Sequence, residues 1–330
     1  MSPDQLVDEL AAGIAAQQRR ALARGITLVE SSRVADRSRS DALVERLSTH
    51  EPRALRIGIS GTPGVGKSTF IEAFGMDRIE QGQSLAVLAV DPSSQISGGS
   101  ILGDKTRMER LARNDAAFIR PSPSGGNLGG VARRTREAIT LCEAAGFDSI
   151  IIETVGVGQS EVAVEAMVDL FILLLAPGGG DDLQGIKRGV MELADIIVIN
   201  KADGEMARQA QTTASDYAHA LSLMRPKRSW WTPQVVTSSA RDASIANVIE
   251  QVERFRVLGT DNGEIQRSRS EQAKEWFASE LALGWHDLVR SDVELARSIA
   301  ELERRVTSGE RTPSSAAREV LQQLTSRQPT

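Results

Sequence analysis

Residues 61–68 read Gly-Thr-Pro-Gly-Val-Gly-Lys-Ser, a complete G-x-x-x-x-G-K-[ST] string. The short apolar run Leu55–Ile59 precedes it, and a stretch of helical period, Lys67–Ile79, follows. Strand, glycine-rich turn and helix, in that order, are the context in which such a string wraps phosphate groups. The glycines let backbone N–H groups converge on an anion, and the helix N-terminus adds its dipole. A plain tight turn would account for the glycines but leaves Lys-Ser behind the last of them unexplained. The expected nucleotide contacts are Gly61, Pro63, Gly64, Val65, Gly66, Lys67, Ser68 and Thr69. Lys67 belongs on the β and γ phosphates and the Ser68 hydroxyl on Mg2+.

Outward from this loop the chain alternates. Apolar runs recur at Leu55–Ile59, Leu85–Val90, Ala117–Ile119, Ser149–Ile152, Leu170–Leu175, Ile196–Ile199 and Val235–Thr237. Helical segments separate them, among them Lys67–Ile79, Val131–Ala145, Val162–Val168 and Met206–Leu223. Strands that are apolar throughout, divided by amphipathic helices, predict an α/β fold with a mainly parallel sheet covered on both faces. Ligands of such sheets lie beyond the strand carboxyl ends. Every motif here falls at one.

The P-loop domain is expected over residues 53–258. Residues 1–52 form a helical extension, with apolar positions at Leu6, Leu10, Ile14, Leu43 and Leu47 and a boundary at Pro52. Residues 259–330 are helical again. There Leu295, Ile299, Leu302 and Val306 step by four, three and four, and Trp276, Phe277, Leu281, Trp285 and Leu288 make another apolar face. On the residues alone, a tail packed on its own domain and an oligomerisation arm fit equally well.

Asn200-Lys-Ala-Asp203 closes a buried strand. An N-K-x-D there selects guanine, because the Asp203 carboxylate accepts from the ring N1–H and the exocyclic amine, donors that adenine does not present together. Asn200 addresses the other edge of the base, and the Lys201 stem covers its face. Ser238-Ser239-Ala240, after the next strand, suits a backbone contact to the guanine O6. Glu153 ends another strand and leads into Thr154-Val-Gly-Val-Gly158, placing a carboxylate to hold Mg2+ through water and Gly156 to donate its N–H to the γ-phosphate. Asp91, before Pro92, is either a solvated turn residue or part of the metal shell, and its place beside the P-loop strand favours the shell. The loops Ser93–Gly103, followed by Asp104-Lys-Thr-Arg107, and Pro177–Lys187 read either as nucleotide sensors or as ordinary surface loops. Gln159, Gln184, Arg107 and Lys187 are the candidates for placing the attacking water or neutralising charge.

The bulk properties narrow the field. The 330-residue chain is 41% hydrophobic with net charge −5, which supports a full core and argues against a nucleic-acid partner. One cysteine and three histidines leave no internal disulfide and no zinc-type cluster. No signal peptide and no apolar run long enough for a bilayer is present, so the expectation is a cytoplasmic protein without membrane contact.

Taken together, V-D-P-S-S (90–94), G-G-S-I-L-G-D-K-T-R-M (98–108), I-R-P-S-P (119–123), L-G-G-V (128–131), E-T-V-G-V-G-Q-S (153–160), L-Q-G-I-K (183–187) and N-K-A-D (200–203) resemble the MeaB/ArgK/MMAA proteins. These are SIMIBI-class P-loop GTPases that act as chaperones of B12-dependent acyl-CoA mutases. The resemblance is dense over about residues 20–255 and looser at both ends. It implies GTP/GDP as ligands, slow intrinsic hydrolysis, and a mutase partner, methylmalonyl-CoA mutase or a close relative. Hydrolysis would gate loading of adenosylcobalamin delivered by its adenosyltransferase and ejection of damaged cofactor. It also implies a Mg2+ shell of Ser68, Asp91, Asp104 and Glu153. Asp181, Asp182, Gln184 and Lys187 would form a partner-responsive switch, and Lys67, Asp104, Glu153 and Lys187 would serve hydrolysis. Homodimers held partly by the C-terminal arm are implied too. Asn127, where relatives commonly have threonine, and Ala176–Asp182 depart locally from the pattern.

Other classes fit less well. A nickel- or cobalt-insertion GTPase needs paired Cys or His ligands, a small-molecule kinase needs an acceptor pocket with a base, and a membrane-targeting GTPase needs an amphipathic or Met-rich segment. The guanine assignment is testable: Asp203→Asn should weaken GTP and admit xanthosine nucleotides, because the donor–acceptor swap on the protein asks for the matching swap on the base. Competition titrations with GTP and XTP measure this, and an unchanged preference for GTP would count against it.

Overall fold

The computed structural model describes residues 3–48, 52–90, 108–121, 128–154, 160–178, 188–239 and 244–326. Contacts divide the chain into two units, Met1–Gln266 and Arg267–Thr330.

The first unit is built on a seven-stranded sheet: β1 (Leu55–Gly61), β2 (Leu85–Val90), β3 (Ala117–Arg120), β4 (Ser149–Thr154), β5 (Leu170–Leu175), β6 (Ile196–Ile199) and β7 (Gln234–Thr237). Their order is β3-β2-β4-β1-β5-β6-β7, and each pairing is parallel. The runs read as strands in the sequence are strands here, with β1 and β4 each two residues longer at the carboxyl end.

Alternation along the strands sorts side chains between two cores. Ala86, Leu88, Ile150, Ile152, Phe171, Leu173, Ile197 and Ile199 face one side. Ile57, Ile59, Val87, Ile151, Ile172, Leu174 and Val198 face the other. The first side is covered by α1 (Pro3–Ala15), α2 (Arg19–Val29), α3 (Val34–Leu47), α6 (Leu128–Ala144), α7 (Ser160–Glu165), α8 (Arg188–Leu193) and α9 (Ala207–Ser222). The three N-terminal helices therefore share one continuous core with the sheet, through Leu10, Ile14, Leu22, Ile26 and Leu43 against Ile139, Leu141 and Cys142. The opposite side is covered by α4 (Lys67–Glu80), α5 (Glu109–Ala112) and α10 (Ile245–Asp261).

Helix α4 shows why the phosphate loop is held firmly. Phe70, Ile71 and Phe74 are fully buried, and the two phenylalanine rings stack at 6.1 Å. Arg78, one turn further on, is buried and ion-paired with Glu253 of α10. Helices α4 and α7 follow β1 and β4, which are adjacent, yet lie on opposite faces of the sheet. Two adjacent strands thus lead to helices on opposite faces, and it is at the carboxyl ends of such a strand pair that ligands of doubly wound sheets bind.

The second unit contains most of α11 (Glu264–Ser291), then α12 (Val293–Thr307) and α13 (Pro313–Ser326). Asp292 caps α12 by accepting from the Glu294 and Leu295 N–H groups, both at 3.0 Å. Leu295 and Leu302 are buried, and α12 packs against α13, where Ala316 is buried too. Phe277 and Leu281, at i and i+4 on α11, are exposed. No helix among the described residues is long and apolar enough to cross a membrane.

Phe74→Ala should lower the unfolding free energy of the first unit by about 3–5 kcal/mol, the range for emptying a buried aromatic site. Urea denaturation followed by circular dichroism measures it; a loss below about 1 kcal/mol would mean that α4 does not pack as described.

Candidate functional site

Strand β1 ends at Gly61 and α4 begins at Lys67, so residues 62–66 form the turn expected from the motif. Two glycines are required for steric reasons. A Cβ on Gly61 would come 2.5 Å from the Leu174 carbonyl oxygen on the neighbouring strand. Gly66, the N-cap of α4, has φ 95°, a left-handed conformation costly for other residues. Its missing Cβ also leaves room for the Asn200 amide, which a Cβ would approach to 3.0 Å.

That amide is the central contact. Asn200 Nδ2 donates to the Val65 carbonyl at 2.9 Å, and Lys201 Nζ donates to the Gly64 carbonyl at 2.7 Å. Asn200 is buried and its own N–H donates to Leu175 O at 2.8 Å, continuing the ladder from β5. Lys201 follows with φ 58°, an uncommon conformation for a residue with a side chain, which turns the chain sharply off β6. The next corner is tied in as well: Ala202 N–H donates to Ser238 O at 3.0 Å, and Ser239 N–H to Ser244 Oγ at 2.7 Å. Ser238 and Ser239 are buried, while Asp203 is partly exposed at the start of a short 3-10 turn, Gly204–Met206. The N-K-x-D string, the serine corner and the phosphate loop therefore form one connected structure at the carboxyl edge of the sheet.

Lys67 is buried, and its Nζ donates to Gly61 O at 2.7 Å and Thr62 O at 3.4 Å. Burial pulls its pKa below the ordinary lysine value, while the carboxylates of Glu153 and Glu161 oppose the shift. Glu153, also buried, is in register with Ile59 of β1 and Ala89 of β2. The Ser68 hydroxyl donates to Glu153 Oε1 at 3.3 Å. A hydroxyl and a carboxylate thus meet beside the phosphate loop, a pair of hard oxygen donors suited to Mg2+.

Other residues singled out in the sequence lie outside the described residues: Asp91, Asp104, Arg107, Gly156, Gln159, Asp181, Asp182, Gln184, Lys187 and Ala240. Conversely, sequence reading passed over Ser60, Thr154 and Glu161. Ser60 and Thr154 sit in the two-residue extensions of β1 and β4, and Glu161 has no solvent exposure. The available signal was a glutamate directly after the string 153–160, ahead of the apolar Val162–Val164. Nothing in that pattern sets it apart from an ordinary helix residue.

The comparisons with known proteins agree with the geometry. The sequence model described as methylmalonyl Co-A mutase-associated GTPase MeaB matches residues 22–291. A putative GTPase of Caulobacter vibrioides is 55% identical over 277 residues, covering 84% of this chain and 85% of its own. The mouse methylmalonic aciduria type A homolog, mitochondrial, is 49% identical over 283 residues, covering 82% of this chain and 68% of its own. A solved structure described as LAO/AO transport system kinase superposes with a TM-score of 0.77 at 36% identity, covering 98% of this chain and 99% of that one. The residue-level resemblance, the P-loop sheet and these matches converge, and the chain belongs to the MeaB family of methylmalonyl Co-A mutase-associated GTPases.

Proposed function

We propose that this GTPase times the loading of adenosylcobalamin into a B12-dependent acyl-CoA mutase, methylmalonyl-CoA mutase or a close relative, and the ejection of damaged cofactor. Family membership supports the choice of client, since the family description names a mutase-associated GTPase. The observation that carries the switch reading is the pair of hydrogen bonds from Asn200 and Lys201 to the phosphate loop. They make the base-reading corner and the phosphate-reading loop respond to one ligand together, as a nucleotide-controlled device requires.

In this reading Asp203 accepts from the guanine N1–H and amine, and Ser238, Ser239 and Ala240 face O6. The Asn200 carbonyl oxygen and second amide hydrogen remain for the base. Lys67 moves its ammonium from the Gly61 carbonyl to the β and γ phosphates, and the N–H groups of residues 64–69 surround them. Ser68 and Glu153, with Asp91 and Asp104, hold Mg2+, which when bound neutralises charge on the phosphates. Gly156 donates to the γ-phosphate. Asp181, Asp182, Gln184 and Lys187 form the partner-sensitive switch, and Lys187 is a candidate for charge neutralisation during hydrolysis. We further assign residues 1–52 as an extension, 53–258 as the GTPase domain and 259–330 as a dimerisation arm that uses the exposed Phe277 and Leu281. The protein works in the cytoplasm as a homodimer, and the adenosyltransferase is an indirect partner.

Two measurements test this reading. Lys67→Ala should weaken a fluorescent GTP analogue about 10–100-fold, the scale of losing hydrogen bonds to a charged group; unchanged affinity would remove the phosphate assignment. GTP turnover with and without purified methylmalonyl-CoA mutase, alongside adenosylcobalamin transfer with GTP or a non-hydrolysable analogue, tests the client. Stimulated turnover and nucleotide-dependent transfer are expected. Equal turnover and transfer under all conditions would sink the gating role.

A further inference from the structure

Glu161 lies in the first turn of α7 and is fully buried. A carboxylate taken out of water is costly unless donors or a counter-charge answer it. Ser60 Oγ donates to Glu161 Oε1 at 3.4 Å, and Thr154 Oγ1 lies 2.9 Å from Ser60 Oγ and 3.5 Å from the Ile59 carbonyl. Ser60 and Thr154 are themselves fully buried. A carboxylate only accepts, so the Ser60 proton is committed to Glu161 and the Ser60 oxygen is left to accept from Thr154. The carboxylate thereby fixes the direction of the chain, from Thr154 through Ser60 to Glu161.

The positions of these three residues give the chain its reach. Ser60 immediately precedes Gly61, whose carbonyl holds Lys67. Thr154 immediately follows Glu153, whose carboxylate accepts from Ser68. The network thus spans the last residues of two adjacent strands, one leading into the phosphate loop and the other carrying the acidic group opposite it. We propose that Glu161 is a positioning residue for GTP hydrolysis: through Ser60 and Thr154 it fixes the spacing between the phosphate loop and Glu153. The inference deepens the reading of Lys67 and Glu153 given above and rests on it. A network serving only the fold would lower stability and leave turnover per folded molecule unchanged.

The test is a double-mutant cycle on the full chain, with kcat, KM and melting temperature measured for Glu161→Met, which removes the acceptor, Thr154→Val, their combination and Thr154→Ser. Each of the first two should lower kcat about tenfold with KM within about threefold, since small misplacements of reacting groups cost this much or more. The combination should lose no more than about 20-fold, because both changes break the same chain, and Thr154→Ser should recover kcat to within about threefold. Losses that multiply to about 100-fold, or a lower melting temperature with unchanged kcat, would overturn the proposal. Should Glu161→Met fail to fold, Ser60→Ala replaces it in the same cycle, with the same outcomes. Glu153→Gln, measured beside them, separates the two readings. Full Mg2+-dependent turnover there would remove the metal assignment of Glu153, whereas the role of Glu161 stands or falls on the cycle.

Discussion

A sheet buried on both faces leaves a polar side chain little place except the ends of its strands. Much else in the first unit follows from that constraint. At the amino ends, Asp169 accepts from the Arg56 N–H and Asp195 from the Phe171 N–H, both at 2.9 Å. Asp195 is answered further by Arg228 at 2.8 Å, and its carbonyl by the Trp231 ring N–H at 2.9 Å. These carboxylates register neighbouring strands by occupying backbone donors. At the carboxyl ends the buried polar groups include Lys67, Glu153, Asn200 and the serine corner. One end of the sheet closes the fold, and the other keeps donors and acceptors for nucleotide chemistry.

The carboxyl edge is framed by helices anchored in separate cores. Helix α4 is fixed by Phe70, Ile71 and Phe74 on one face, and α7 contributes Val164 to the other. Within that frame, the electrostatics are local. Burial works against the Lys67 charge, and the carboxylates of Glu153 and Glu161 sustain it until phosphates arrive.

Much of this was legible in the sequence because it depends on short-range pattern. Leu170–Leu175 and Ile196–Ile199 are apolar at every position, which only a doubly covered strand explains. Gly61–Ser68 carries its strand and helix context beside it. What escaped reading was long-range and polar. The Asn200–Val65 hydrogen bond joins residues 135 positions apart, and Ser60 meets Glu161 across 101. No periodicity encodes such pairs. The C-terminal stripe was ambiguous for a related reason. Leu295 and Leu302 announce a buried face, but the helix that covers them presents the small Ala316, which gives little hydrophobic signal. The resemblance supplied what pattern could not, namely a client class and a meaning for hydrolysis.

The hydrogen bond from Asn200 to the Val65 carbonyl has a consequence for the protein between turnovers. A planar trans peptide points its C=O and N–H in opposite directions. Holding the Val65 oxygen toward Asn200 therefore aims the Gly66 N–H the other way, out of reach of Asn200. The Gly64 carbonyl is likewise occupied, by Lys201. Carbonyl oxygens that could repel an anion are thus turned aside before one arrives. The cradle is set by the protein's own side chains, so release of one nucleotide does not erase the shape that receives the next. Little of the loop then has to be rebuilt when a nucleotide is exchanged.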